Sequence, residues 1–141
     1  MKRLQLEYAE LAKTYDVELV GDNLYEWHIA INGPDNTPYY GGTFLLRVIF
    51  PNTYPNRSPK LIFETMIYHP NISRLGDVCQ EALGGEWTPR IQIKNMIDGI
   101  IRLLKEPDTN NPLEANIAQQ YRSHPNEFRI KAMEITAKYA I

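Results

Sequence analysis

At 141 residues the chain suits one domain with one core, and 43% hydrophobic against 23% charged residues fits a folded protein rather than a disordered one. A net charge of -2 gives no broad basic field for nucleic acid, and no apolar run approaches the ~20 residues that span a bilayer. The single cysteine, Cys79, excludes an internal disulfide and a cysteine-rich metal site.

The chain opens on Met1-Lys2-Arg3-Leu4, which reads as a charged helix and not as a secretory signal. With one cysteine, that gives an expected location in the cytoplasm or nucleus. Asn56-Arg57-Ser58 and Asn71-Ile72-Ser73 then fit the glycosylation sequon by chance. Leu4, Tyr8, Leu11 and Tyr15 recur at helical spacing and predict an amphipathic first helix. Asp16 to Leu24 reads as short and turn-rich around Gly21-Asp22-Asn23. Trp27, Ile29 and Ile31 alternate as in a strand, and Asn32-Gly33-Pro34-Asp35 turns the chain. A second strand follows, with Phe44, Leu46, Val48 and Phe50 on one face and Leu45, Arg47 and Ile49 on the other. Pro51, Pro55 and Pro59 punctuate a loop before a third apolar run, Leu61-Ile62-Phe63.

From about Met66 to Gln92 no regular element is expected, and so long an irregular stretch in a compact domain is usually functional. Ile93, Met96, Ile97, Ile100, Ile101 and Leu104 then restore a helical period. Pro107 and Pro112 bracket a short loop, and Leu113, Ile117 and Tyr121 predict another helix. Ser123 is placed as the cap of the last helix, with Pro125 in its first turn and Phe128, Ala132, Ile135 and Tyr139 along it. A helix, strands joined by short turns, and then helices imply an α+β fold with an antiparallel meander. The whole chain, 1–141, is expected to be one domain without extensions.

Cys79 lies inside the irregular stretch, ten residues after the tripeptide His69-Pro70-Asn71. Gly, Asp, Pro and Asn crowd around it, as they do in loops that carry chemistry on a rigid scaffold. A free thiol with a pKa of about 8.5 is only about 3% thiolate at pH 7. The neighbouring Asp77, Glu81 and Glu86 raise that pKa if they lie close, with Arg74 and Arg90 further off. Such a restrained thiol does not suit a protease. The plain alternative is a buried, inert cysteine. Three scattered histidines and one cysteine make no zinc site.

Tyr54-Pro55 with Pro59, the His69-Pro70-Asn71 tripeptide, Gly76 with Cys79, Trp87 with Pro89, and Pro107 with Pro112-Leu113 fall in one order and spacing. In these motifs the chain resembles the catalytic domain of ubiquitin-conjugating enzymes, over essentially its whole length. The resemblance implies a four-stranded meander between helices. It implies that Cys79 accepts ubiquitin, or a ubiquitin-like protein, from an activating enzyme and passes it to a lysine amine or a ligase cysteine. No metal, nucleotide or other cofactor is implied on this protein, because the thioester already stores the energy spent upstream.

The same resemblance makes Asn71 a donor to the developing oxyanion or a brace of its own loop, and His69 a structural residue rather than a general base. It places Asn111 where most family members carry an acid that orients the incoming lysine, a task for which Asp108 or Glu81 could substitute. Lys2 and Arg3 match basic positions presented to the activating enzyme, although ordinary solvated charge explains them as well. The ligase-facing loops contain Asn56, where many ubiquitin carriers have a large apolar residue, and Pro89, followed by Arg90. Gln80 also replaces a usual apolar residue. Expected partners are therefore the modifier, an activating enzyme, a ligase and, optionally, a non-catalytic variant of the same fold, with no nucleic acid and no membrane. Two other readings stay open: a carrier of another ubiquitin-like modifier, and a non-catalytic binding or priming module. A cysteine hydrolase lacks a convincing base and orienting group for the thiol.

Overall fold

The computed structural model describes residues 2–141; Met1 lies outside them. Helix α1 (Lys2–Ala12) leads into four strands, β1 (Asp16–Val20), β2 (Asn23–Asn32), β3 (Thr43–Ile49) and β4 (Lys60–Phe63). They form one antiparallel sheet in the order β1-β2-β3-β4, a meander. After the long loop come α2 (Ile93–Lys105), α3 (Ala115–Ser123) and α4 (Pro125–Tyr139).

Period-two alternation sets which face of the sheet is buried. In β3 the buried residues are Phe44, Leu46 and Val48, and the register puts Leu46 between Ile29 of β2 and Phe63 of β4. Trp27, Ile29, Ile31, Phe44, Leu46, Val48, Leu61 and Phe63 form one apolar layer. Helix α2 covers it with Ile93, Met96, Ile97, Ile100 and Leu104, and α1 adds Leu4 and Leu11. Trp27 is fully enclosed; its indole N–H donates to Leu24 O at 2.7 Å and Tyr8 stands edge-on to its ring. At about 25 cal/mol per Å² of apolar surface, this layer is the main source of stability and the rigid base on which the loops rest.

Two expectations change. The stretch read as turn-rich holds the edge strand β1, in which only Val17 is buried and Asp16 and Glu18 point outward. Five residues with one buried side chain give too weak an alternation to stand out, and the following Gly21, at φ 59°, was the stronger signal. Ser123 does not cap the last helix. It is the final residue of α3, and His124 serves as the junction to α4, with Pro125 at the first helical position. No helix among the described residues is long and apolar enough to cross a membrane.

Candidate active site

Beyond β4 the chain is held by single bridges rather than a ladder. His69 pairs with Ile72, Ile72 with Val78, and Asp77 with Ile62 of β4. The turn at Gly76 has φ 93°, and a Cβ there would come within 2.2 Å of Phe63 O. Only glycine allows both the conformation and the close approach. The Cys79 N–H donates to Asn71 O at 3.0 Å, so the tripeptide and the thiol, ten residues apart in sequence, are tied backbone to backbone.

His69 is fully buried. Its Nε2 donates to Leu103 O of α2 at 2.7 Å, and its Nδ1 accepts the Asn71 N–H at 3.0 Å. A carbonyl can only accept and an N–H can only donate, so these partners fix the Nε2–H tautomer and the neutral ring. Burial pushes its pKa down to about 4. With both nitrogens engaged, His69 fastens the loop to α2.

Asn71 is also fully buried. Its Nδ2 donates to Asp108 O at 2.7 Å and to Asn111 O at 3.0 Å, while its Oδ1 accepts the Asp108 N–H at 2.9 Å. Both amide hydrogens and the carbonyl are thereby spent on the backbone of the 106–112 loop. In this arrangement the side chain braces that loop and holds no free donor for an oxyanion.

Cys79 is 6% exposed. Its Sγ–H donates to Glu81 Oε2 at 3.4 Å. Glu81 opens a single 3-10 turn, Glu81–Leu83. Burial raises the thiol pKa; the Ala82 and Glu81 backbone N–H groups pull it down, and the Glu81 carboxylate pushes it up. Of the three acids considered from sequence, Glu81 is the one that bonds the sulfur; Asp77 instead accepts a long contact from the Ser73 hydroxyl. The thiol is thus a restrained nucleophile, protonated at neutral pH.

Asn111 is exposed. Its Nδ2 donates to Asp108 Oδ2 at 2.9 Å, and the other Asp108 oxygen accepts the Asn110 N–H at 3.0 Å. Asn71, Asp108 and Asn111 therefore form one connected unit. Leu113 and Glu114 N–H groups donate to Pro70 O, which closes the loop against the tripeptide.

Of the residues assigned to partner surfaces, Lys2 and Arg3 begin α1, Asn56 lies in the loop before β4, and Pro89 lies in the same irregular stretch as the thiol. Lys2, Asn56 and Pro89 are exposed. Arg3 is only partly free: its Nε pairs with Glu7 at 2.7 Å, and its guanidinium donates to Pro89 O and to Ile91 O. It also lies over the Tyr54 ring. Trp87 joins the two loops read as ligase-facing, donating its indole N–H to Pro55 O at 2.8 Å and packing on Tyr54.

Sequence reading missed Glu7. It is buried, and it accepts from the Ile93 N–H at 2.8 Å, from Arg3 and from the Tyr54 hydroxyl at 2.6 Å. One carboxylate thereby links α1, the start of α2 and the Tyr54 loop, and reaches the Pro89 loop through Arg3. Its position on the same helical face as Leu4 and Leu11 was the available signal. His28 pairs with Glu64 on the sheet, and among the described residues no cluster of His, Cys, Asp or Glu could hold a metal ion.

The family model described as "Ubiquitin-conjugating enzyme" matches residues 3–136. The chain is 37% identical over 142 aligned residues to "Probable ubiquitin-conjugating enzyme E2 31" of Arabidopsis thaliana, covering 99% of this chain and 92% of that protein. The solved E2 domain of a Toxoplasma gondii ubiquitin conjugating enzyme superposes with a TM-score of 0.91 at 33% identity, over 99% of this chain and 98% of that one. A lone thiol tied to a His-Pro-Asn turn, on a meander sheet shared with these proteins, carries the same conclusion as the sequence matches: the chain belongs to the ubiquitin-conjugating enzyme family.

Proposed function

We propose that Cys79 accepts the C-terminal acyl group of ubiquitin from an activating enzyme and delivers it to a lysine amine or a ligase cysteine. The observation that carries this is the setting of the thiol. It is the only cysteine, it is fixed by its own N–H to the tripeptide, and Asn71 ties that tripeptide to the loop an acceptor would approach. Loading forms an S–C bond at Cys79 and releases the activating enzyme's thiol. Discharge breaks that bond as the acceptor nitrogen or sulfur adds to the carbonyl. Nucleophilic catalysis of this kind divides one hard acyl transfer into two easier ones.

Within this reading Asn71 and His69 are positioning residues that hold the thiol loop, α2 and the 106–112 loop in one geometry. Asn111, oriented by Asp108, faces the acceptor as an amide, which can align an ammonium but not neutralise it. Lys2 serves the activating enzyme, while Arg3 contributes as much to holding Pro89 and Ile91 as to any partner. Asn56 and Pro89 lie on the ligase side. Work of this kind belongs in the cytoplasm or nucleus.

Exposed, polar Asn56 in place of an apolar anchor favours a second reading, loading with a different ubiquitin-like modifier or service to an uncommon ligase, since buried anchors supply much of an interface's energy. The test is a loading assay with ATP, an activating enzyme and its modifier, run for ubiquitin and then for each alternative. A reductant-labile adduct of one modifier mass identifies the cargo. Failure with every pair would favour a binding or priming module of the same fold.

A further inference from the structure

We propose that two copies of this chain associate through α4, the two helices lying antiparallel about Met133. The inference does not depend on what Cys79 carries. Helix α4 is apolar on two sides. Phe128, Ala132 and Thr136 recur at i, i+4, i+8 and are buried, with Phe128 edge-on to Tyr121. Ile130, Met133 and Ala137 recur at i, i+3, i+7 on another side and are exposed, Ile130 at 57% and Met133 at 48%. One apolar stripe is enough to hold a surface helix to its core, and this second stripe lies outside the core.

The stripe borders the largest open groove of the described residues, about 870 Å³, lined by Thr37, Met133, Thr136, Ala137 and Ala140. Tyr40, 66% exposed, stands on its rim. No residue of the thiol loop or of the 106–112 loop lines it. An exposed tyrosine and methionine beside a groove are the kind of surface that buries apolar side chains of a partner.

The charges beside the stripe identify that partner as a second copy. Glu127, Lys131, Glu134 and Lys138 recur at i, i+4, i+7, i+11 along one flank of it. Glu four positions before Lys can pair within one helix. Among the described residues, however, none of the four forms an ion pair, and Lys138 only stands over the Tyr139 ring. The order Glu-Lys-Glu-Lys becomes Lys-Glu-Lys-Glu when the helix is reversed. In an antiparallel pair, Glu127 of one copy therefore meets Lys138 of the other, and Lys131 meets Glu134, each contact occurring twice by two-fold symmetry. Both pairs are centred between Ala132 and Met133, so the same register brings the two Met133 side chains together and sets Ile130 near Ala137. A slip of one turn would set Glu127 against Glu134, which fixes the register. The 15 residues of α4 span roughly 22 Å, so the contact is small and the dimer should be weak, with a Kd above about 1 µM.

The experiment is sedimentation equilibrium of the full chain, without any modifier, up to about 1 mM and at low salt, where exposed charges are least screened. The wild-type chain should form a dimer, and Met133→Glu should raise its Kd by at least roughly 10-fold. Two further chains carry one sign each along the flank: Lys131→Glu with Lys138→Glu, and Glu127→Lys with Glu134→Lys. All five positions are exposed, so the fold should survive. Each of these two chains alone should stay monomeric, and their mixture should form a one-to-one dimer. A wild-type chain that stays monomeric to about 1 mM overturns the proposal and leaves the face to a helix of a different protein. A dimer that survives Met133→Glu, or two flank variants that do not combine, overturns it as well.

Discussion

Replacing Asn71 separates a brace from an oxyanion donor. Its side chain makes three hydrogen bonds, at 2.7, 3.0 and 2.9 Å, all to backbone of the 106–112 loop. A net value of about 1 kcal/mol for each puts Asn71→Ala at a cost of about 3 kcal/mol in folding free energy. Asn71→Asp keeps the shape and the acceptor for the Asp108 N–H but turns a carboxylate oxygen toward two carbonyls that need donors. It should cost at least as much at neutral pH, since the charged form gains nothing there. The folded-state pKa of this aspartate is raised above its unfolded value, so the deficit is full above the folded pKa and shrinks as pH falls through it toward the unfolded one. Urea unfolding of the three proteins at neutral and mildly acidic pH measures this. A near-wild-type stability for Asn71→Ala, combined with lost discharge, would refute the brace and return Asn71 to oxyanion duty.

The remaining predictions concern single groups. With its pKa pushed down to about 4, His69 should keep one neutral Nε2–H signal through neutral pH by nitrogen-detected NMR. The unfolded chain binds this proton first, so stability falls as pH drops from about 6.5 to about 4, by about 3 kcal/mol in all; a ring that titrates near its usual value would contradict the burial argument. Glu7→Ala leaves the Ile93 N–H, Arg3 and the Tyr54 hydroxyl without their shared acceptor and should cost about 3 kcal/mol in chemical unfolding, with Glu7→Gln milder; a cost below about 1 kcal/mol would mean that water replaces it. Asn111→Asp puts a second carboxylate against Asp108, raises the pKa of one of them, and should speed discharge onto free lysine severalfold; an unchanged or slower rate would remove that loop from the acceptor's path.

The sheet and the covering helix were legible because their signals are periodic. Phe44, Leu46 and Val48 alternate, and Ile93, Ile97 and Ile100 follow the helical period, so burial of one face fixes both elements. The edge strand escaped because an exposed strand needs no such pattern. In the active site the thiol and the tripeptide were legible from residue type and spacing, and the restraining effect of nearby carboxylates was anticipated. Which carboxylate matters was not, because it depends on the 3-10 turn bringing Glu81 back toward the residue two positions earlier. The partners of Asn71 and the hub at Glu7 were equally hidden. Both act through backbone groups 37 to 86 positions away, and a backbone N–H or carbonyl leaves no mark in the sequence.

The central claim is that Cys79 itself carries the acyl group, and trapping it as an ester tests that most directly. The Cys79→Ser chain is incubated with ATP, activating enzyme and modifier, and the product is mapped by peptide mass spectrometry, with Cys79→Ala alongside. The account predicts a reductant-resistant, hydroxylamine-labile adduct at residue 79 in the serine variant and none at that position in the alanine variant. An adduct of equal yield in Cys79→Ala, or one that maps to a lysine alone, would contradict it.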